Sequence, residues 1–130
     1  LSDRPFQEEF SLNLARLIIF IYESGYKCTG GEWWRTPEMA EIYARNGKGI
    51  KDSLHLRRLA IDLNLFKDGK YLNTTEAHRP FGEYWKSLHF MNRWGGDFHN
   101  SKGEPKPDGN HYEMNPSDNA DFNVGVNITR

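Results

Sequence analysis

A chain of 130 residues fits one compact domain, residues 1–130, large enough to bury a core without disulfides. Seventeen Lys and Arg against 18 Asp and Glu leave a formal net charge of −1, which gives no electrostatic footprint for nucleic acid and no basic run of the membrane-binding kind. Cys28 is the only cysteine, so an intrachain disulfide and a cysteine-rich structural zinc site are both excluded.

Phe10, Leu14, Leu17, Ile18 and Ile21 recur at helical spacing and predict an amphipathic helix over about residues 6–24, with Gly25 as its stop. The apolar run inside it, Leu17 to Tyr22, is far too short to span a bilayer, so no membrane insertion is expected. Residues 26–34 read as a short connection able to hold a strand. Thr36-Pro37-Glu38 is a helix start: a hydroxyl cap, proline at the first position, then an acid. Met39, Ile42 and Tyr43 are the expected buried stripe of that second helix, and Asn46-Gly47 and Gly49 its end. Ala60 to Phe66 alternates, with Ile61, Leu63 and Leu65 on one face and Ala60, Asp62, Asn64 and Phe66 on the other. Asp68-Gly69 reads as a hairpin turn into Tyr71-Leu72. Phe81, Tyr84, Trp85 and Leu88 predict a third helix over about residues 80–92. Gly95-Gly96 and residues 101–109 read as loop, His111 to Met114 as a short strand, and the Asn- and Asp-rich last 16 residues as a surface wrap. This order of elements predicts an α+β fold, with helices packed on a small antiparallel sheet.

Two segments carry candidate chemistry. The first, Ser53 to Asp62, offers His55 and then Asp62, an acid inside a strand where Asp is disfavoured. A local misfit of that kind points to a site. The second is Asp108-Gly109-Asn110-His111-Tyr112-Glu113. On a strand, His111 shares a face with Glu113 while Tyr112 and Met114 face the other way. Pairing this strand beside the Asp62 strand brings Asp62 and His111 together, with Asp108 on the loop just before. Catalytic zinc takes three protein ligands, nitrogen or carboxylate oxygen, and keeps one position open.

The pattern Ser-x-His-x6-Asp followed by Asp-x-x-His resembles the M15 family of zinc peptidases, which includes D-Ala-D-Ala carboxy- and dipeptidases and phage endolysins that cut L-alanyl-D-glutamate bonds. Trp34-Arg35-Thr36-Pro37-Glu38 is similar to the Arg-Thr-x-Glu segment before the family's metal motif. Trp94-Gly95-Gly96-Asp97 followed by Asp108-x-x-His111-Tyr112-Glu113 is similar to the pattern of the endolysin branch. The resemblance spans about residues 10–114. It implies Zn2+ held by His55, Asp62 and His111, with Asp108 as the catalytic acid/base. Arg35 and Ser53 are then substrate-binding, and Glu113, on the face of His111, orients that ligand. The implied activity is hydrolysis of the peptidoglycan stem peptide as an L-alanyl-D-glutamate endopeptidase of phage or prophage endolysin type. A D-Ala-D-Ala carboxypeptidase of cell-wall remodelling and a zinc-containing binding module without catalysis are the alternatives. Leu56-Arg57-Arg58-Leu59 departs from the smaller residues common there in the family, and the tail beyond Met114 has no match. No signal peptide is legible, although a first residue Leu1 rather than Met leaves room for a removed leader or tag. The resemblance therefore implies synthesis in a host cytoplasm and action on the cell wall, and a monomer is expected.

The blander readings are specific. Asp62 can instead cap a bend or pair with Arg57, Asp108 can be a plain turn former, and Arg35 a solvated arginine near a helix start. His99 reads as a surface residue and as the alternative ligand. His78 and His89 read as solvent or helix-face residues, Cys28 as buried and inert, and Trp94-Gly95-Gly96 as a packed turn rather than a sugar-stacking platform.

Overall fold

A computed structural model describes residues 2–48 and 53–116. Gly49 and residues 117–130 of the tail lie outside the described residues. In chain order the elements are α1 (Arg4–Glu23), β1 (Lys27–Gly30), α2 (Pro37–Arg45), a 3-10 turn (Leu54–Arg57), β2 (Ala60–Lys67), β3 (Lys70–Leu72), α3 (Thr75–Leu88), β4 (Asn92–Trp94), a second 3-10 turn (Gly95–Asp97) and β5 (His111–Met114). Helices pack on a five-stranded antiparallel sheet, the α+β arrangement that the order of elements predicts.

The sheet runs β1-β2-β5-β4, with β3 also paired to β2. β2 is the hub because its alternation gives it one fully apolar face. Ile61, Leu63 and Leu65 are buried against α1 and α3, whereas Asp62, Asn64 and Phe66 on the other face are only half-buried. Asp68 and Gly69 turn the chain back with φ of 51° and 77°, the left-handed pair of a two-residue hairpin. β5 enters antiparallel to the first residues of β2, with Ala60, Ile61 and Asp62 opposite Glu113, Tyr112 and His111.

The core is built on rings. Phe10, Phe81, Trp85, Trp94 and Tyr112 are almost wholly buried, and α1 adds Leu14, Leu17 and Ile21 at helical spacing. Both core indoles have their N–H satisfied by backbone of the site strands and loops: Trp85 donates to the Glu113 carbonyl at 2.9 Å and Trp94 to that of Gly109 at 2.7 Å. The aromatic core and the site thus share one scaffold.

Four expectations need correction. The third helix runs Thr75–Leu88 rather than 80–92, because Thr74 caps it by accepting from the Ala77 amide at 3.2 Å and Pro80 is tolerated inside it. Asn92 to Trp94 is then free to form β4, an edge strand absent from the sequence reading. The second helix has the predicted Thr36 cap, at 3.1 Å from the Met39 amide, but not the predicted stripe. Ala40 is its only buried residue, while Met39 and Ile42 are exposed. Cys28 is only partly buried, and burial raises its thiol pKa.

His78 and His89 are buried, not solvent-facing. His89 Nδ1 accepts from the Met91 amide at 3.0 Å and so shapes the turn into β4. His78 Nδ1 lies 2.8 Å from the Tyr112 hydroxyl, and burial lowers its pKa to about 4. A buried imidazole is neutral in the folded state, whereas the unfolded chain protonates it near its ordinary 6.5. Below that value the unfolded state binds more protons, so this contribution to stability is complete above pH 6.5 and is lost as pH falls towards 4. Melting temperatures between pH 7 and 4 are expected to fall less steeply for His78→Asn than for the parent chain. Parallel curves for the two proteins would show that His78 does not titrate on unfolding.

Candidate metal and catalytic site

The site is assembled from three pieces of chain, each fixed by backbone rather than by its functional side chains. His55 sits in the 3-10 turn, where Ser53 accepts from the His55 amide at 3.2 Å. The turn closes at Arg58, a left-handed residue with φ 56°. Of the bulky Leu56-Arg57-Arg58-Leu59 run, a departure from the family pattern, Leu56 and Arg57 line the cleft. Arg57 makes two 2.8 Å bonds to the Asp3 carboxylate at the start of α1, the Arg58 guanidinium lies over the Trp34 ring, and Leu59 enters the core. Because Arg57 is committed to Asp3, the alternative of an Asp62–Arg57 pair is not what forms.

Asp62 and His111 stand directly opposite each other on β2 and β5. Asp62 Oδ1 is 3.3 Å from His111 Nδ1 and 3.5 Å from His55 Nε2. One ligand atom of each of the three residues lies within 4.8 Å of the others. His99, the alternative ligand, is exposed on a loop where it pairs with Pro105, outside this cluster.

The donor set fits zinc. Two ligands of a tetrahedral zinc with bonds of about 2.0–2.2 Å stand roughly 3.3–3.6 Å apart, which is the spacing that Asp62 keeps with each histidine. The second nitrogen of each ring is also engaged. His111 Nε2 is 2.7 Å from Glu113 Oε1, and Glu113 in turn receives Arg93 Nη2 at 2.7 Å and Nε at 3.0 Å. His55 Nδ1 faces the Trp33 carbonyl at 3.4 Å. Glu113 therefore engages the far nitrogen of His111, leaving Nδ1 to face the cluster.

Electrostatics favour a cation here. Burial alone raises the Asp62 pKa, but hydrogen bonds and charge from His111 and His55 outweigh it and hold the carboxyl well below its usual range. Burial likewise pushes His111 down, yet Asp62 and Glu113 win and bring it up to about 9. Asp62 and Glu113 thus hold the positive charge of the His111 ring between them. Glu113 is kept ionised against its own burial by His111 and Arg93.

Asp108 and Arg35 line the same open cleft of about 1560 Å³. Asp108 is held by its backbone: its amide donates to the Gly95 carbonyl at 2.8 Å and its carbonyl accepts from the His111 amide at 3.0 Å. A side chain at Gly95 would collide with the Asp108 carbonyl and the His111 Cβ, so glycine there lets the loop close on the ligand strand. The Trp94-Gly95-Gly96 motif is a packed turn that seats Asp108. The Asp108 side chain opens to solvent in the cleft, and its pKa is raised first by desolvation and further by Asp62, against the pull of His111, His55 and Arg35. Arg35 has its guanidinium on the Glu32 carboxylate and over the Tyr43 ring, 4.8 Å from its centroid. It is not a solvated arginine. Ser53 is buried at the cleft wall with its oxygen engaged as the turn cap.

Residues 45–114 match a model of the M15 peptidases described as D-alanyl-D-alanine carboxypeptidase. The chain belongs to the M15 peptidase family. It is accordingly a zinc metallopeptidase, and its His-Asp-His cluster is a set of residues that could hold the ion. The fold is similar to that of the L-Ala D-Glu endopeptidase ChiX of Serratia marcescens, at 18% identity and a TM-score of 0.64 over 82% of this chain and 81% of that one. It is also similar to a mutant of the vancomycin resistance D,D-pentapeptidase VanY from the VanB-type resistance cassette, solved in complex with Zn(II). There the identity is 19% and the TM-score 0.55, over 81% of this chain and 70% of that one. No curated protein matches the chain.

The contact between Glu113 and His111 Nε2 yields a testable expectation for metal affinity in this M15 chain. Glu113→Ala removes the acceptor of His111 Nε2, and loss of such a partner typically costs about 10- to 100-fold in metal affinity. Competition with a chromogenic chelator is expected to show that loss with the far-ultraviolet spectrum retained. An unchanged zinc affinity would mean that the sheet alone fixes the His111 ring.

Proposed function

We propose that this M15 peptidase hydrolyses the stem peptide of peptidoglycan, as an L-alanyl-D-glutamate endopeptidase of endolysin type, with His55, Asp62 and His111 as its zinc ligands. The observation that carries the reading is the direct Asp62–His111 pairing, with His55 Nε2 3.5 Å from the same carboxylate, in a cleft that also holds a free-standing acid and an arginine. The similarity to an L-Ala D-Glu endopeptidase over four-fifths of both chains supports the substrate class.

His55, Asp62 and His111 would hold the zinc, which would supply Lewis acidity at the cleft near neutral pH. Asp108 takes the proton of the attacking water on its carboxylate and later delivers it to the leaving amine. Arg35, held by Glu32 on one edge, offers its other N–H groups to a stem-peptide carboxylate, a charge-assisted contact. Ser53, already holding the turn of His55, contributes its hydroxyl proton to the same wall of the cleft.

A second reading, a D-Ala-D-Ala carboxypeptidase, is favoured by the description of the matched family and by the D,D-pentapeptidase neighbour. Digestion of purified peptidoglycan followed by mass spectrometry of the new termini separates the two. New N-terminal D-glutamate supports the endopeptidase; release of free D-alanine supports the carboxypeptidase; no cleavage by zinc-loaded protein leaves the non-catalytic module.

One zinc per chain is expected in metal analysis, falling to a small fraction in His111→Ala. Full retention in that variant would remove His111 from the ligand set. Asp108→Ala is expected to keep both zinc and fold, because only backbone atoms of Asp108 make its bonds to Gly95 and His111. Turnover should fall by about 10²- to 10⁴-fold. Near-normal hydrolysis by that variant would move the base role to another carboxylate.

A further inference from the structure

The segment from Gly31 to Arg35 lies across both halves of the ligand cluster. The Gly31 amide donates to the Asp62 carbonyl at 2.7 Å, and the Asp62 amide donates to the Glu32 carbonyl at 2.9 Å. The Trp33 carbonyl faces His55 Nδ1 at 3.4 Å, and the Arg35 amide donates to the His55 carbonyl at 3.2 Å. Of this strap Arg35 lines the cleft, and its guanidinium is bound by the Glu32 carboxylate. Arg35 Nε donates to Glu32 Oε1 at 2.8 Å, and Arg35 Nη2 reaches the same oxygen. Glu32 Oε1 is also 3.7 Å from His55 Nδ1.

That geometry divides the guanidinium. Its Nε/Nη2 edge is committed to Glu32, its face rests on Tyr43, and the Nη1/Nη2 edge is the one left for another oxygen pair. An arginine carries up to two rotamer-rich bonds beyond Cγ, and a lone guanidinium would sample many orientations. With one edge and one face fixed, its remaining edge has a single direction. A planar fork so held distinguishes a carboxylate, which accepts two parallel bonds, from an amide, which offers one acceptor.

We propose that Glu32 is a positioning residue for substrate recognition: by clamping the inner edge of Arg35 it aims the outer edge at a substrate carboxylate, and so sets the preference for acidic peptides with that group free. The inference rests on the reading of Arg35 as the carboxylate contact. Glu32 itself touches no substrate. Its side chain is 25% exposed and stands outside the hydrophobic core cluster, so its replacement opens no cavity there.

The test uses the zinc-loaded full chain and two synthetic stem peptides, one with the free carboxylate and one with it amidated. In Glu32→Ala, KM for the free-carboxylate peptide is expected to rise roughly 10- to 100-fold, the scale of a misplaced binding group. KM for the amidated peptide should rise far less, so the ratio of the two KM values, rather than the kcat they share, reads the role. Calorimetric titration with the free-carboxylate cleavage product should show the same weakening without turnover. Glu32→Asp keeps the charge but withdraws the carboxylate by one methylene, and should show the same selectivity in a smaller degree. In an Arg35→Ala background, adding Glu32→Ala should change nothing further. Equal losses on both peptides in Glu32→Ala, or additive losses in the double variant, would overturn the role of Glu32. If Arg35→Ala alone fails to discriminate the two peptides, the reading of Arg35 falls first, and the inference falls with it.

Discussion

The site depends on one cross-strand pair, Asp62 opposite His111 on β2 and β5. A ladder position fixes the two Cβ atoms to within about 4.5–5.5 Å of each other whatever the side chains are. Once β2 and β5 pair in this register, two of the three residues that could hold the ion face each other. The register is itself set by burial. Ile61 on β2 and Tyr112 and Met114 on β5 are within the aromatic core, and a one-residue slip would turn them to the cleft and turn Asp62 or His111 into the core. Hydrophobic burial therefore does the aiming, and the polar face receives its geometry from the apolar one.

An acid and two imidazoles at such a location would be costly if left unpaired, since buried charge without partners is strongly destabilising. The structure resolves this by extending the pairing outwards. His111 is backed by Glu113, and Glu113 by Arg93, whose guanidinium is partly exposed. On the other side His55 is backed by backbone, with Glu32 near it and Arg35 bound to Glu32. Charge alternates from the ligands to the surface along both routes, so each carboxylate has a cationic neighbour. The buried carboxylates Asp62 and Glu113 remain ionised as a result, against the direction that burial alone would push them.

Much of this was legible in residues that violate local preference. Asp62 interrupts an alternating apolar strand, and its neighbours Ile61, Leu63 and Leu65 have the periodicity that identifies the buried face, so the polar face followed. His111 and Glu113 share a face by the same period of two, and their 2.7 Å contact is what that period implies. What was not legible depended on tertiary packing. His78 lies on α3 where periodicity cannot tell a buried polar position from a solvent one, and only the meeting with Tyr112 decides it. The Met39 and Ile42 spacing on α2 has the period of a buried stripe, but few elements pack there, and only Ala40 is covered. β4 has three residues, too few for alternation to register, and is defined by its ladder to β5. Glu32 carried no motif of its own. Its place is set by the backbone bonds of Gly31 and Glu32 to Asp62, which no side-chain pattern announces.

The strap and the ligand strand divide their work by bond type. Gly31, Glu32 and Arg35 hold Asp62 and His55 through amides and carbonyls, and backbone bonds are indifferent to the side chains attached. The ligand geometry can therefore be kept while the side chains of the strap change. Of those side chains, Arg35 lines the cleft and Glu32 holds its guanidinium. By contrast, the Trp94-Gly95-Gly96 turn cannot vary in the same way. There the absence of a side chain at Gly95 is what lets the Asp108 carbonyl and His111 close together, and any substitution would push on both at once. The strap and the Trp94-Gly95-Gly96 turn thus hold the same cluster by different means, the one through backbone bonds and the other through the absence of a side chain.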